Sequence, residues 1–350
     1  MRTGGHGIWI SVFIGVLVAA LSSVEAFYRH VGCHSITACR RVDVVSSVVK
    51  EKTTAVFGAS VTYGAFYYMP AIDPQTLNLT SNGATTFTGN AILFEDMLTR
   101  TDDLQRMFYF TPAELFTKQP LKDDARQRNY FSNVFDAPHD VVRATAMYEA
   151  RERDIYLPAP RRFLEKRSAA LIEPRARLRE AAARARSIDG ASLRWWIERN
   201  AGLEQPPVAG EAWRSSVGRQ RARLISPFRP SVQAGNALRR ISDVCAARGI
   251  ACHIVLAPTH EIAAEALAAD PAWAAFRAEH PGFCWLDMNG PRAWPSGAFR
   301  DDLHLIRPWE LYYRKMLMTE VLGAATADER APYVMPGSEA ACAGFVEDQS

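Results

Sequence analysis

The sequence has little of what would place it in a specialised structural class. Six cysteines in 350 residues are too few for a disulfide scaffold, and 21 glycines with 20 prolines indicate neither a collagen-like nor a low-complexity chain. A net charge of +3 gives no reason to expect a nucleic acid as partner. Hydrophobic residues make up 48% of the chain, which is ordinary for a globular protein with its own core. Function must therefore be sought in the positions of particular residues.

A long uncharged apolar run lies at the amino terminus, from Ile8 to Leu21. It is short for a membrane span, which takes about 20 residues, but it approaches that length when residues 22–24 are added. The run is either a cleaved signal peptide, with a small-x-small cleavage site at 24–26, or an uncleaved anchor. Both interpretations predict export, and the alanine- and arginine-rich composition favours a bacterium. We expect a bacterial inner-membrane protein with a periplasmic domain, or a periplasmic protein if the segment is cleaved.

Export changes how the cysteines are interpreted, because an oxidising compartment allows disulfides to form. Cys33 and Cys39 lie close together just beyond the apolar run, and we predict that they pair. Cys252 and Cys284 fall near predicted core strands, where we expect buried free thiols. Cys33 and His34 have no second pair of ligands nearby, so the sequence predicts no metal site.

Short apolar runs alternate with helical patterns along much of the chain. The predicted strands are 53–57, 76–79, 107–110, 252–257 and 283–286, and the predicted helices are 90–98, 233–248, 261–269 and 308–322. Because strands that alternate with helices pair in parallel and bury both faces of their sheet, the pattern predicts an α/β fold. We expect a three-layer sandwich around a mostly parallel central sheet.

The stretch between the third and fourth predicted strands is rich in arginine and alanine and is interrupted by prolines. It predicts either a solvated helical insertion or a lid or docking surface for anionic headgroups or an acidic glycan. In the second case Trp195, Trp196 and Trp213 are candidate sugar contacts. The predicted division of the chain is a signal anchor or signal peptide (1–28), a linker (29–50), two parts of one sheet domain (51–136 and 233–325), the helical insertion between them (137–232) and a C-terminal tail (326–350).

Two local motifs carry the candidate chemistry. After the first predicted strand, Gly58 precedes Ser60, so a serine hydroxyl would lie at the carboxyl edge of the sheet, where open α/β sheets bind ligands. Near the end of the sheet domain, Asp301 and His304 form an Asp-x-x-His unit, in which a carboxylate can hold Nδ1–H while Nε2 accepts a proton. Each motif alone has a structural explanation, such as a helix-capping serine. Together they predict Ser60 as nucleophile, His304 as general base and Asp301 as the group that orients His304.

These motifs resemble those of the SGNH/GDSL hydrolase superfamily. Residues 58–64 are similar to its Gly-Asp-Ser-x-Thr-x-Gly block, with Ala59 in place of Asp, and residues 78–85 are similar to its Asn-x-x-x-Ser-Gly-Ala-Thr block. Its final block corresponds to residues 301–304. Its Gly-x-Asn-Asp block is not found, because residues 111–114 after the third predicted strand contain no Asn.

The resemblance implies an SGNH-like, flavodoxin-like sheet and an oxyanion site built from backbone N–H groups of Ser60 and Gly83. Asn82 is the candidate replacement for the donor that the missing block would supply. The turn at 256–260 resembles a Pro-x-His turn of exopolysaccharide-cluster proteins, which makes Thr259 and His260 candidate substrate contacts. A solvent-facing histidine at a helix start is the alternative for His260. Trp309, in a segment similar to one in the D-alanylation protein, is a third candidate substrate contact.

Within the superfamily, the closer likeness is to membrane-anchored envelope proteins of teichoic-acid D-alanylation or polysaccharide O-acetylation. The likeness implies a serine O-acyltransferase or esterase that acts on an envelope or extracellular polysaccharide and needs no metal or organic cofactor. It also implies a membrane-bound acyltransferase as partner and no contact with nucleic acid. The alternative is a non-catalytic protein that binds glycan or serves as a scaffold in polysaccharide synthesis or export.

Overall fold

The structure is a computed structural model that describes residues 12–13, 15–16, 52–58, 61–62, 71–73, 75–80, 87–117, 146–147, 211–289, 294–301, 303–317, 321–322 and 333–342. Within these ranges the strands are β1 (Thr54–Gly58), β2 (Ala71–Asp73), β3 (Thr76–Asn78), β4 (Arg106–Thr111), β5 (Ala251–Leu256), β6 (Cys284–Asp287) and β7 (Tyr333–Val334). The α-helices there are α1 (Phe87–Leu98), α2 (Glu211–Ile225), α3 (Val232–Arg248), α4 (Glu261–Ala268), α5 (Pro271–Ala278) and α6 (Arg307–Met316). Short 3-10 turns cover Ala113–Phe116 and Ser296–Ala298.

The strands form one sheet in the order β2-β3-β1-β4-β5-β6-β7. The five inner strands are parallel, while β2 and β7 pair antiparallel at the two edges. Counted along the chain, the parallel strands run 2-1-3-4-5, which is a common order of doubly wound α/β sheets. The predicted α/β fold with a mostly parallel sheet is therefore confirmed.

Alternate residues of the inner strands face two separate apolar cores. On one face Phe57, Tyr109 and Ile254 pack with side chains of α1, α2, α3, α4 and α5. On the other face Phe108 and Val255 pack with side chains of α6 and of the segment that precedes it. Burial on both faces explains why these strands are nearly continuous apolar runs, since parallel strands with helices on each side have no polar face.

The two ends of α3 follow ordinary capping rules. The hydroxyl of Ser231 accepts a hydrogen bond from the backbone N–H of Ala234 at 3.3 Å and caps the start of α3. Gly249 follows the helix with a φ of 66°, a left-handed conformation that glycine adopts at little cost. The predicted end of this helix at Gly249 is confirmed.

The chain also contains elements that the sequence pattern did not indicate. The edge strands β2 and β7 were not predicted, and β7 shows that the prediction of 283–286 as the last strand is wrong. Helix α5 was also missed, although Asp270 caps its first turn and Pro271 begins it. Helix α2 lies within the range predicted as an insertion, and Ile225 at its end is fully buried in the core.

The expectation of buried free thiols at Cys252 and Cys284 is wrong. Cys252 on β5 is paired with Cys245 on α3, and Cys284 on β6 is paired with Cys342 in the segment after β7. The Cα–Cα distances are 6.4 and 4.7 Å, within the usual range for disulfides. Each pair forms because both cysteines face the same core. The predicted Cys33–Cys39 disulfide lies outside the described residues.

Most of the amino-terminal apolar run, which we predict to be a signal peptide or an anchor, also lies outside the described residues. Among the residues that the structure does describe, no helix has the length and apolar character needed to cross a membrane.

Candidate functional site

The parallel strands bring several turns to one edge of the sheet. Because β1, β4, β5 and β6 run in the same direction, the residues that follow them meet at the carboxyl edge. The strand order reverses between β1 and β4, and at such a reversal the connections diverge and leave a crevice that typically binds ligands. Gly58, two residues before the predicted nucleophile Ser60, ends β1 at this edge.

Gly58 ends β1 at a very close approach of three chain segments. A Cβ atom at this position would lie 3.1 Å from the carbonyl oxygen of Phe110 on β4 and 3.0 Å from Cβ of Thr62. A side chain at position 58 would push these segments apart, which explains why a glycine occupies it. Val61 and Thr62 are buried and have helical backbone, as expected where a helix follows this strand. Ser60 itself lies outside the described residues.

Asp301 and His304 form the polar pair that the sequence predicts. Nδ1 of His304 lies 3.0 Å from each carboxylate oxygen of Asp301, so Nδ1–H can donate to the carboxylate and Nε2 is then the proton acceptor. The backbone N–H groups of Leu303 and His304 also donate to Oδ1 of Asp301, at 2.9 and 2.7 Å. Partial burial raises the pKa of Asp301, but the backbone N–H groups of His304 and Leu303 outweigh it and hold the pKa below its usual value. Asp301 is therefore ionised at neutral pH.

A narrow loop presents this pair. Phe299 and Leu305 form an antiparallel bridge at its base, and the N–H of Arg300 donates to the carbonyl of His304 at 2.8 Å. On the side of this bridge away from Asp301, the N–H of Ile306 donates to the carbonyl of Ala298 at 2.8 Å. We call residues 298–306 the Asp-His loop.

The turn after β5 packs directly against the Asp-His loop. The ring of His260 stacks on the ring of Phe299 with a centroid distance of 4.3 Å and an interplanar angle of 16°. His260 is only 1% exposed, so the interpretation of a solvent-facing histidine at a helix start is wrong. The structure thus brings His260 together with the loop that carries Asp301 and His304.

Helix α2 lies across the turns at the carboxyl edge. Arg221 of α2 forms an ion pair with Glu114 in the turn after β4. Arg214 donates to the carbonyl oxygen of Gly297, next to the Asp-His loop, at 3.4 Å. Gly218 of α2 faces the ring of His260. The sequence did not indicate this position for α2, because a helix of arginine, serine and alanine shows little apolar periodicity.

The Glu114–Arg221 pair stands where the resemblance would call for a Gly-x-Asn-Asp block. The Glu114 side chain is 4% exposed and that of Arg221 is 13% exposed, so the pair is almost fully removed from water. A carboxylate held by arginine cannot donate a hydrogen bond to an oxyanion as an Asn side chain does. Glu114 was noticeable in the sequence as a single acidic residue inside the apolar run 112–116.

Thr259 and Trp309, the other candidate substrate contacts, are both buried. The N–H of Thr259 donates to Oδ1 of Asn289 at 2.6 Å, and the Asn289 amide donates to the carbonyl of Ala257 at 3.1 Å, which ties the ends of β5 and β6 together. Burial raises the pKa of Asp287, whose Oδ1 accepts from the Asn289 N–H at 2.7 Å. Trp309 is buried with its indole packed beside Trp294.

Of the remaining candidate residues, only Trp213 falls within the described ranges. Gly83, Asn82, Trp195 and Trp196 lie outside the described residues, whereas Trp213 on α2 is 50% exposed beside Arg214. In the described ranges, no cluster of three or more His, Cys, Asp or Glu side chains is arranged to hold a metal ion. No protein-family model matches the chain, and no curated protein matches it.

Proposed function

We propose that the protein is an exported SGNH-type serine O-acyltransferase or esterase that acts on acyl groups, such as O-acetyl, of an envelope or extracellular polysaccharide. The observation that carries the proposal is the hydrogen bond between the Asp301 carboxylate and Nδ1 of His304. The pair lies on the side of the sheet where the parallel strands end, and Gly58 ends β1 there. The 2-1-3-4-5 order of the parallel strands agrees with an SGNH-like, flavodoxin-like fold.

The proposed reaction has two steps that use the same groups. Ser60 Oγ attacks the acyl carbonyl while Nε2 of His304 takes the hydroxyl proton, and His304 then gives this proton to the leaving alcohol. The N–H groups of Ser60 and Gly83, assisted by the Asn82 amide, stabilise the oxyanion. In the second step water or a sugar hydroxyl attacks the acyl-serine, and the ionised Asp301 carboxylate stabilises the imidazolium each time it forms.

The location and partners in this proposal come from the N-terminal apolar run and from the family resemblance. The chain would be held at the bacterial inner membrane, or released into the periplasm, with its catalytic domain on the outer side. A membrane-bound acyltransferase would supply the acyl group, and the polysaccharide would receive or lose it. The stretch before α2 would contribute to glycan binding.

A second function, that of a non-catalytic glycan-binding or scaffold protein, is favoured by one observation. The Glu114–Arg221 pair fills the turn after β4, where the resemblance calls for an oxyanion donor. Loss of one such donor raises the barrier by about 2.7–4 kcal/mol, so a protein of this family without it has lost much of its catalytic power.

The test is the turnover of acetyl esters and O-acetylated polysaccharides by the purified exported chain and its variants. Ser60→Ala and His304→Ala should each lower kcat by at least about 10³-fold, and the double variant should be no worse, because members of one catalytic unit are not additive. Ser242→Ala and Asp243→Asn on α3 are the controls, and we expect both to keep wild-type activity. Full activity in Ser60→Ala would refute the mechanism, and glycan binding by a wild-type chain without turnover would favour the scaffold.

A further inference from the structure

His260 is the buried contact between α2, the turn after β5 and the Asp-His loop. Its backbone is fixed because its carbonyl oxygen accepts hydrogen bonds from the N–H groups of Ala263 and Ala264, at 2.9 and 2.8 Å, at the start of α4. Its ring lies nearly parallel to that of Phe299, at 4.3 Å between centroids. A side chain attached to a rigid turn therefore presents a flat face to the base of the loop that carries Asp301.

On the α2 side, Gly218 approaches the same ring. A Cβ atom at position 218 would lie 3.1 Å from Nδ1 of His260, closer than most Cβ atoms come to a neighbour, and 3.4 Å from Cδ1 of Ile262, an ordinary contact distance. Helix α2 can lie this near to His260 because residue 218 has no side chain. His260 thus contacts both Gly218 and Phe299, and we call these three residues the His260 stack.

The Asp-His loop is held together internally but needs an external contact to fix its place. Its own hydrogen bonds, from Leu303 and His304 to Asp301 and from Arg300 to His304, set the geometry of the carboxylate and the imidazole. These bonds lie within the loop and do not tie it to the strands; contacts at its base do so, where Phe299 and Leu305 are buried in the same core as Phe108. Phe299, at the base of the loop, stacks on His260.

We infer that His260 is a positioning residue: through the stack on Phe299 it fixes where His304 lies relative to the end of β1. In this inference it acts through Phe299 and not by contact with substrate, since its side chain is only 1% exposed. The inference rests on the proposed function for its activity readout, but the position and order of the loop can be measured without any activity.

The experiment compares His260→Ala, His260→Phe and Gly218→Ala in the full chain. His260→Ala should lower kcat for an acetyl ester by roughly 10- to 100-fold with little change in KM, since a displacement of about 1 Å between reacting groups can cost this much. His260→Phe keeps a flat ring and should restore most of kcat. Gly218→Ala places a methyl group 3.1 Å from Nδ1 of the ring and should give a smaller loss of kcat.

Hydrogen exchange supplies the second readout. The amides of Leu303 and His304 should exchange at least about tenfold faster in His260→Ala than in the wild type, because local opening of the loop becomes easier. The matched control is His280→Ala, which removes another buried imidazole, packed edge-to-face on Phe276 at 4.9 Å between centroids. It should lower the melting temperature without changing exchange in the Asp-His loop.

The two readouts separate failure of this inference from failure of the proposed function. A wild-type chain without acyl turnover would contradict the proposed function, and loop exchange would then still decide the role of His260. Unchanged loop exchange in both His260→Ala and Gly218→Ala would overturn the inference. Equal damage in His260→Phe and His260→Ala would also overturn it, because the ring stack would then have no part in the effect.

Discussion

Removal of the Cys284–Cys342 disulfide should destabilise the protein more than removal of the Cys245–Cys252 disulfide. A disulfide lowers the conformational entropy of the unfolded chain, and this effect grows with the number of residues in the closed loop. The separations along the sequence are 58 residues for Cys284–Cys342 and 7 residues for Cys245–Cys252. The chain-entropy relation gives about 4 kcal/mol for the longer loop and about 2 kcal/mol for the shorter one.

The comparison is made between two double variants, Cys284→Ala/Cys342→Ala and Cys245→Ala/Cys252→Ala. All four cysteines are buried, so each double variant removes two sulfur atoms from a core and suffers a similar packing loss. The difference between the two free energies of unfolding, about 2 kcal/mol, therefore isolates the loop term. Urea unfolding followed by tryptophan fluorescence and circular dichroism measures both free energies.

Mass mapping of the unreduced wild type comes first and must recover both linked peptides. Free thiols at these four positions in exported protein would refute the pairing itself. Equal losses in the two variants, or a larger loss for the shorter loop, would refute the assignment of the effect to the unfolded chain. The reduced wild type is the control, because it has no cross-links but keeps every side chain.

Two further predictions concern buried charges. Glu114→Gln should lower the free energy of unfolding by about 3 kcal/mol, because it leaves Arg221 without its buried counter-ion, and Glu114→Gln combined with Arg221→Met should recover much of this loss in a double-mutant cycle. Burial lowers the pKa of His253 from 6.5 to about 4, so the unfolded chain binds a proton at a higher pH than the folded protein does. Stability should therefore fall by about 3 kcal/mol as the pH falls from 6.5 to 4, and His253→Leu, compared by urea unfolding at both pH values, should lose this dependence.

The inner strands could be predicted because a short run of neighbouring apolar residues is enough to show that a strand is buried. β1, β4 and β5 are continuous apolar runs that stop at Gly58, Pro112 and Pro258, and burial on both faces requires such runs. The edge strands β2 and β7 could not be predicted in the same way. They have three and two residues, too few for a period, and only the neighbouring strand decides that they pair.

In the candidate site, too, contacts between residues close in sequence could be predicted and contacts between distant elements could not. Asp301 and His304 are three residues apart, so a local turn is enough to bring the carboxylate to the imidazole, and the sequence shows it. The burial of His260 and the contact of Arg221 with Glu114 depend on where α2 lies, which no local pattern of that helix reveals. The cysteine pairs were missed for the same reason, since each joins two separate elements of the fold.

The disulfides also bear on where the protein must be made for these tests. Disulfides form and persist mainly outside the cytoplasm, so protein for these tests should be produced in an oxidising compartment. Together the two described disulfides are worth about 6 kcal/mol by the chain-entropy relation, which is comparable to the whole net stability of many proteins, about 5–15 kcal/mol. A chain produced in a reducing cytoplasm would lose that contribution, and its inactivity would then reflect unfolding. Only exported, oxidised protein can therefore tell an absent catalytic function from an absent fold.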